Sequence, residues 1–315
     1  MPTPDFLPRS NCPACGAPGV ALFSRAYADD KLRSALTAFY AQVGGLDYSV
    51  LSGATYSVAS CPQCGSLFQT SIPSDAVLAL LYEDWIDPEK ARLRFHHGQP
   101  FQHYLGLSQA VALNRSLVAP DAPRTSLDYG CGWGEWSRMA QAFGHEAWGT
   151  ELSPSRREHA QRMGIRIVAE ADLPEDYFAL INADQVLEHL PDPGACLRLL
   201  AKRLHPAGVL RLAVPNAWRV AAALKNFDHE IARPRLGRIN AIAPLEHLNA
   251  FTQTGLLRLA ADAGLERVRP RLKLVRATSF VQTGVLAKIK ASLLPFYLRG
   301  SHSTQLYFRR AATHR

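Results

Sequence analysis

Between Thr125 and Glu135 the chain reads Thr-Ser-Leu-Asp-Tyr-Gly-Cys-Gly-Trp-Gly-Glu, and this run restricts the architecture more than any other. Thr125 to Tyr129 reads as a short strand. Gly130, Gly132 and Gly134 make a turn. Trp136, Met139, Ala140 and Phe143 then recur at helical spacing. A strand, a glycine-rich turn and a helix N-terminus in direct succession form the entry to a nucleotide-type pocket in an α/β sheet. The glycines let the backbone approach a ligand without Cβ clashes. Dinucleotide folds space these glycines G-x-G-x-x-G. Here they read G-x-G-x-G, with Asp128 two positions before the first.

The segments that follow keep the alternation of strand and helix. Glu146 to Thr150 reads as a second strand, and Glu151 ends it, 17 residues after Gly134. Ser153 is placed to cap the next helix, with Pro154 at its first position. A third strand, Arg166 to Val168, leads to Ala171-Asp172-Leu173. A fourth, Tyr177 to Ala183, runs into Asp184-Gln185-Val186-Leu187-Glu188-His189-Leu190-Pro191-Asp192-Pro193. A helix over Asp192 to Leu204 and a strand over Gly208 to Val214 come next. Pro244-Leu245-Glu246-His247-Leu248-Asn249-Ala250-Phe251-Thr252 then precedes an amphipathic helix.

This ordered set resembles the class I S-adenosylmethionine (SAM) methyltransferases, in the branch with an N-terminal cysteine-rich zinc-binding segment. The glycine turn resembles that family's first motif, the loop at Leu187 to Pro193 its "LEHLPDP" segment, and Glu246 to Thr252 its "EHxxxFT" turn, in which Thr252 caps the helix. The resemblance implies a Rossmann-like, doubly wound seven-stranded sheet with an antiparallel last strand, Thr304 to Phe308, plus a small N-terminal zinc-ribbon-like domain. It implies a cofactor set of Asp128, Gly130, Cys131, Gly132, Trp133, Gly134, Glu151, Leu152, Asp172, Leu173, Gln185 and Val186. Glu151 would accept hydrogen bonds from the ribose hydroxyls, and Asp172 would face the adenine amino group. Cys131 reads as a small buried filler rather than a nucleophile. His189 and His247 are the candidate catalytic bases, since an imidazole titrates near neutrality.

Four of the six cysteines form two identical knuckles, Cys12-Pro13-Ala14-Cys15-Gly16 and Cys61-Pro62-Gln63-Cys64-Gly65, separated by 45 residues. Each places two sulfurs toward one point, and the glycine lets the chain fold back. Four thiolates close a tetrahedral zinc site with no open position, which is the structural type. No thioredoxin-like βαβ context surrounds either pair, and no export signal favours disulfides. The expected divisions are a cysteine segment over 1–72, a helical linker over 73–123 and a SAM-binding domain over 124–315.

Charge is uneven. Eleven of the 35 Lys and Arg residues but one of the 27 acids lie between 264 and 315, a local charge of +10 against −2 for the rest. That pattern excludes a uniformly basic nucleic-acid binder. In a basic insertion at about 276–300, Val281, Val285, Ile289 and Leu293 form one helical stripe beside Lys288 and Lys290. A basic amphipathic helix suits a membrane surface or a lipid-linked phosphate, and equally a lid or dimer contact. The strand end at Asp184 lacks the Asn/Asp-Pro-Pro-Tyr/Phe motif that resembling enzymes use on nucleobase amines. O- or C-methylation of a small, sugar-like or lipid-linked acceptor is therefore the primary reading. An RNA methyltransferase, a noncatalytic SAM-fold scaffold and a nicotinamide oxidoreductase are the alternatives. The first residues, Met1-Pro2-Thr3-Pro4-Asp5, have neither a basic start nor an apolar run, so the expected location is cytoplasmic, with the basic C-terminal segment the candidate contact to the inner face of the membrane.

Overall fold

A computed structural model describes residues 5–87, 89–90, 93, 100–278 and 303–312. The chain forms two compact units and crosses between them several times. One collects Met1–His97, Leu187–Pro193 and Pro215–Leu259; the other collects Gly98–Val186, Gly194–Val214 and Ala260–Arg315. These divisions differ from the linear ones expected from the sequence. The cysteine segment does not stand alone, because its apolar core draws on residues far downstream.

The first unit contains a two-stranded ribbon, β1 (Phe6–Pro8) with β5 (Ser71–Pro73), and a four-stranded antiparallel sheet. That sheet is ordered β11 (Asn249–Ala250), β4 (Leu67–Gln69), β3 (Thr55–Ser60), β2 (Val20–Ala26). Helix Asp30–Tyr40 begins where the Asp29 side chain accepts the Leu32 amide hydrogen bond at 3.0 Å, an N-cap that satisfies an otherwise orphaned donor. It buries Leu32, Leu36 and Tyr40 against Tyr27, Tyr56, Phe227, Ile239, Ile242 and Leu245. Each such side chain contributes roughly 1.5–3 kcal/mol when fully buried. Ser74 caps the short helix Asp75–Leu80, which continues as a π-helical turn over Leu81–Trp85.

The second unit holds a seven-stranded sheet. Its strands are β6 (Thr125–Tyr129), β7 (Glu146–Thr150), β8 (Arg166–Ile167), β9 (Phe178–Asp184), β10 (Leu204–Pro215), β12 (Leu265–Val268) and β13 (Ser303–Arg310). The spatial order is β12-β13-β10-β9-β6-β7-β8. β6 to β10 pair in parallel, and β12 and β13 pair antiparallel, Leu265 opposite Arg310 and Val268 opposite Tyr307. Phe178, Ala179, Leu180, Ile181 and Ala183 are all buried, as expected of a strand covered on both faces. Helices Pro100–Ser116 and Glu135–Ala142 pack together through Val111, Trp136 and Ala140. Strand order reverses outward from β6 and β9, so their carboxyl ends lie at a topological switch point, where ligands bind in open α/β sheets.

Most expected elements fall within a residue or two of their observed bounds. Ser153 differs. It sits at the N-cap of helix Pro154–Arg162, but its hydroxyl makes no cap bond and pairs with Ser155 at 3.1 Å instead. The stripe Val281, Val285, Ile289 and Leu293 of the expected basic helix lies outside the described residues. Among those residues no helix is long and apolar enough to cross a membrane.

Candidate functional site

The carboxyl end of β6 turns sharply at Gly130, Gly132 and Gly134, with φ of 69°, 55° and 77°. L-residues rarely adopt this left-handed region, and a side chain would also collide at Gly130 and be tightly crowded at Gly134. A Cβ on Gly130 would stand 2.8 Å from Val186 Cγ2, and one on Gly134 3.2 Å from the Ala160 Cβ. At Gly132 nothing lies within 4 Å of where a Cβ would project, so the middle of the turn faces open space. The turn is tied to β7 by the Cys131 amide donating to the Thr150 carbonyl oxygen (2.9 Å) and the Gly130 amide to Thr150 Oγ1 (3.2 Å).

Glu151 folds back onto this turn. Its Oε2 accepts from the Gly132 amide at 2.8 Å, and its Oε1 from the Leu152 and Ser153 amides, both at 2.9 Å. An ionised carboxylate has about four acceptor directions, so capacity remains for further donors. Leu152 beside it is 89% exposed, an apolar surface next to a fixed charge. Trp133 stands edge-on to His159 with ring centroids 5.1 Å apart. Gln185, at the end of β9, holds a left-handed φ of 57° while its amide donates to the Ala213 carbonyl oxygen. Strained non-glycine backbone of this kind concentrates at functional sites. Val186 covers Gly130, which joins the end of β9 to the glycine turn.

The remaining expected residues surround this turn or lie near it in the fold. Cys131 is buried against Gly149, and burial pushes its thiol up, consistent with a filler. Leu173 is buried as well. Asp172 closes the exposed 3₁₀ turn Glu170–Asp172. Asp128 turns inward: Asn182 Nδ2 donates to its Oδ1 at 2.7 Å and Ser137 Oγ to its Oδ2 at 3.2 Å. In register, Asp128 lies opposite Asn182 and Asn182 opposite Arg211. Arg211 Nη1 donates to Asn182 Oδ1 at 2.6 Å and to Asp184 Oδ2 at 2.8 Å. One buried polar row thus crosses three adjacent strands directly behind the turn. Sequence reasoning missed Ser137, Asn182 and Arg211. The signal was available: an Asn and an Arg inside the otherwise apolar runs Phe-Ala-Leu-Ile-Asn-Ala and Val-Leu-Arg-Leu-Ala-Val.

In the first unit, Cys12, Cys15, Cys61 and Cys64 converge with their sulfurs within 4.8 Å of one another. Cys12 Sγ lies 3.6 Å from Cys64 Sγ and Cys15 Sγ 3.4 Å from Cys61 Sγ, all four as free thiols. A tetrahedral zinc with Zn–S bonds of about 2.3 Å needs sulfurs about 3.8 Å apart. Each knuckle closes by a glycine amide donating to the first cysteine's carbonyl oxygen, Gly16 to Cys12 (2.8 Å) and Gly65 to Cys61 (2.9 Å). Thr252 fastens the second knuckle: its hydroxyl donates to the Cys64 carbonyl oxygen at 2.6 Å and also accepts the Gly255 amide, capping helix Gln253–Asp262 as expected. His189 and His247 also belong to this unit, with ring centroids 4.7 Å apart. His189 Nδ1 lies 2.9 Å from Tyr82 Oη and 3.0 Å from the Glu246 carbonyl oxygen. His247 Nδ1 donates to the Asn240 carbonyl oxygen, and burial pushes its pKa below the usual histidine range.

The methyltransferase-domain family matches residues 101–269, more than half of the chain. The chain belongs to the class I SAM-dependent methyltransferases. It is 30% identical over 173 residues to a ubiquinone biosynthesis O-methyltransferase of Caulobacter vibrioides, covering 50% of this chain and 69% of that protein. It is 31% identical over 109 residues to the protein of the same name in Xanthomonas euvesicatoria, covering 31% of this chain and 46% of that one. Among solved structures it is similar to magnesium protoporphyrin IX methyltransferase from Synechocystis, at 16% identity and a TM-score of 0.48, covering 75% of this chain and 99% of that one.

The site of this methyltransferase fits SAM on its own chemistry. The open side of Gly132 leaves room for a ligand against bare backbone, and Glu151 offers a fixed anionic acceptor for hydroxyl donors. The row behind the turn makes a testable demand. Burial pushes the Asp128 carboxyl up to about 7, against the lowering effect of Asn182. Asp128 therefore holds its proton more tightly in the folded chain. Its contribution to stability is complete below about pH 4, the unfolded carboxyl range, and is lost as pH rises through about 7. Urea denaturation should show the wild type losing about 2–3 kcal/mol more than Asp128→Asn between pH 5 and pH 8. Parallel pH profiles for the two proteins would refute this account.

Proposed function

We propose that this methyltransferase moves a methyl group from SAM to a hydroxyl oxygen of a small, lipid-linked acceptor. The observation that carries the cofactor half is the Glu151 carboxylate held 2.8 Å from the Gly132 amide, at the open face of the glycine turn. The acceptor half is supported by the curated relatives, which are named O-methyltransferases of ubiquinone biosynthesis.

SAM, when bound, supplies a methyl carbon on a positively charged sulfur, already activated for in-line displacement. The chain's residues then have to position rather than to activate. Glu151 holds the ribose diol, while Gly130, Gly132 and Gly134 let the backbone close on the amino-acid portion. Leu152 and Trp133 give apolar surface to the nucleoside, and Gln185 and Val186 border it from β9. Asp128 acts from behind, keeping the β6 end in register through Ser137 and Asn182. Good alignment of the reacting atoms can lower a barrier by about 7 kcal/mol or more. The four thiolates are read as a structural zinc site, closed to ligands, that holds the two knuckles together. A lipid-linked acceptor would bring the chain to a membrane face on the cytoplasmic side. The basic excess after residue 264 supports that placement.

The test is methyl-labelled SAM incubated with the purified chain and three acceptors: a prenylated catechol in detergent, a nucleotide-linked sugar, and structured RNA. Label on a catechol oxygen is the expected result. Label on RNA, on a ring carbon or on the sugar alone would replace this reading.

A further inference from the structure

We infer that Glu188, His189 and His247 form a second metal centre in the first unit, a two-histidine, one-carboxylate site for a divalent transition cation. The inference is independent of methyl transfer and of the thiolate cluster.

It begins with convergence. One donor atom from each of the three side chains lies within 4.8 Å of the other two, and His189 Nε2 stands 3.9 Å from Glu188 Oε1. Imidazole and carboxylate donors at about 2.0–2.2 Å from a shared ion lie about 3–4 Å apart. The observed separations approach that range.

The tautomers are also set for coordination. A carbonyl oxygen can only accept, so a ring nitrogen bonded to one carries the proton. Nδ1 of His247 faces the Asn240 carbonyl, and Nδ1 of His189 faces both the Glu246 carbonyl (3.0 Å) and the Tyr82 hydroxyl (2.9 Å), whose oxygen can accept from the same N–H. Each ring thereby directs an Nε2 lone pair away from its anchoring carbonyl. Metal-ligating histidines are held in the same way, by a backbone carbonyl on the opposite nitrogen.

Buried amide side chains hold both donor-bearing segments. Asn249 Nδ2 donates to the Leu187 carbonyl oxygen (3.1 Å) and the Leu190 carbonyl oxygen (2.8 Å), bracketing Glu188 and His189. Gln69 Nε2 donates to the Ala243 and His247 carbonyl oxygens at 3.0 and 2.9 Å, bracketing the segment that ends at His247. Asn249 and Gln69 are fully buried, as is Glu188. Two segments of irregular backbone are thus fixed in place by the two amides.

The donor set selects the ion. Two imidazoles and one carboxylate suit zinc, iron, cobalt or manganese, whereas magnesium and calcium prefer all-oxygen shells. Three protein donors leave a coordination position for water or an oxygen ligand, unlike the closed four-thiolate site.

The test is a cobalt titration of the full chain loaded with a single equivalent of zinc, followed by visible absorption. The expected result is one added equivalent whose bands lack sulfur-to-metal charge transfer. Affinity should fall at least tenfold in Glu188→Gln, His189→Gln and His247→Gln, each with its thiolate-site zinc and melting transition retained. X-ray absorption at the cobalt edge of the wild-type chain provides a check that needs no variant, and should show nitrogen and oxygen neighbours with imidazole scattering. The inference fails if the zinc-loaded wild type takes up no further cobalt at tenfold excess, or if the added cobalt has only sulfur neighbours. It fails equally if a folded His189→Gln, His247→Gln double variant binds as the wild type does.

Discussion

Replacing Cys61 and Cys64 together with serine is expected to remove most of the net stability of the first unit. Both side chains are buried, and serine hydroxyls there cannot replace thiolates toward a metal. The bond network reaches beyond the knuckle, because Thr252 joins Cys64 to helix Gln253–Asp262 and, through its amide, to Ser66 Oγ at 3.2 Å. Structural zinc contributes roughly 10–16 kcal/mol in isolated fingers, comparable to the whole stability of an ordinary domain, about 5–15 kcal/mol. This unit also has an aromatic and aliphatic core around Tyr27, Tyr56, Phe227 and Ile239, which offsets part of the loss. The expected outcome is zero zinc retained by the double variant at that site and a melting transition lowered by at least about 10 °C. A variant that melts with the wild type would show that the thiols hold no structural ion.

Glu151→Ala is expected to weaken SAM binding about 100-fold or more. A hydrogen bond to a charged group contributes about 1.5–3 kcal/mol, and two ribose hydroxyls share this carboxylate in the proposed pose. The same change frees the Gly132, Leu152 and Ser153 amides that Glu151 now accepts, so the turn also loses part of its preorganisation. Calorimetric titration with SAM and with its demethylated product measures the effect, and circular dichroism verifies that the sheet persists. Affinity within threefold of the wild type would remove Glu151 from the site. Glu151→Gln should fall between the two, since an amide keeps one acceptor oxygen but brings a donor toward the Gly132 amide.

The parts of the site legible in the sequence are those made by neighbours along the chain. The glycine turn declared itself because three left-handed residues within five positions leave the backbone few alternatives. The two cysteine knuckles did so because each is a closed loop of five residues. The carboxylate ending β7 was readable by its distance from the turn. Other roles depended on register between strands. Asp128 reads as a cofactor ligand in the sequence, and the alignment of β6, β9 and β10 sets it opposite Asn182, itself opposite Arg211, in a buried polar row that the sequence did not reveal. His189 and His247 read as separate bases in two motifs. Their rings lie 4.7 Å apart, and with Glu188 they form the donor cluster proposed above to hold a cation.

From residue order alone came the alternation of strands and helices, the SAM-type turn and the four-cysteine set, because local sterics and short-loop geometry act over a few residues. The partition into two units, the buried Asp128–Asn182–Arg211 row and the Glu188–His189–His247 convergence came from the folded chain. The polar row and the donor cluster bring together groups 29 to 59 positions apart, and the first unit joins groups as far as 206 apart, Tyr40 with Glu246; such contacts form only when burial of apolar surface in the whole unit outweighs the entropy lost in closing the loops between them.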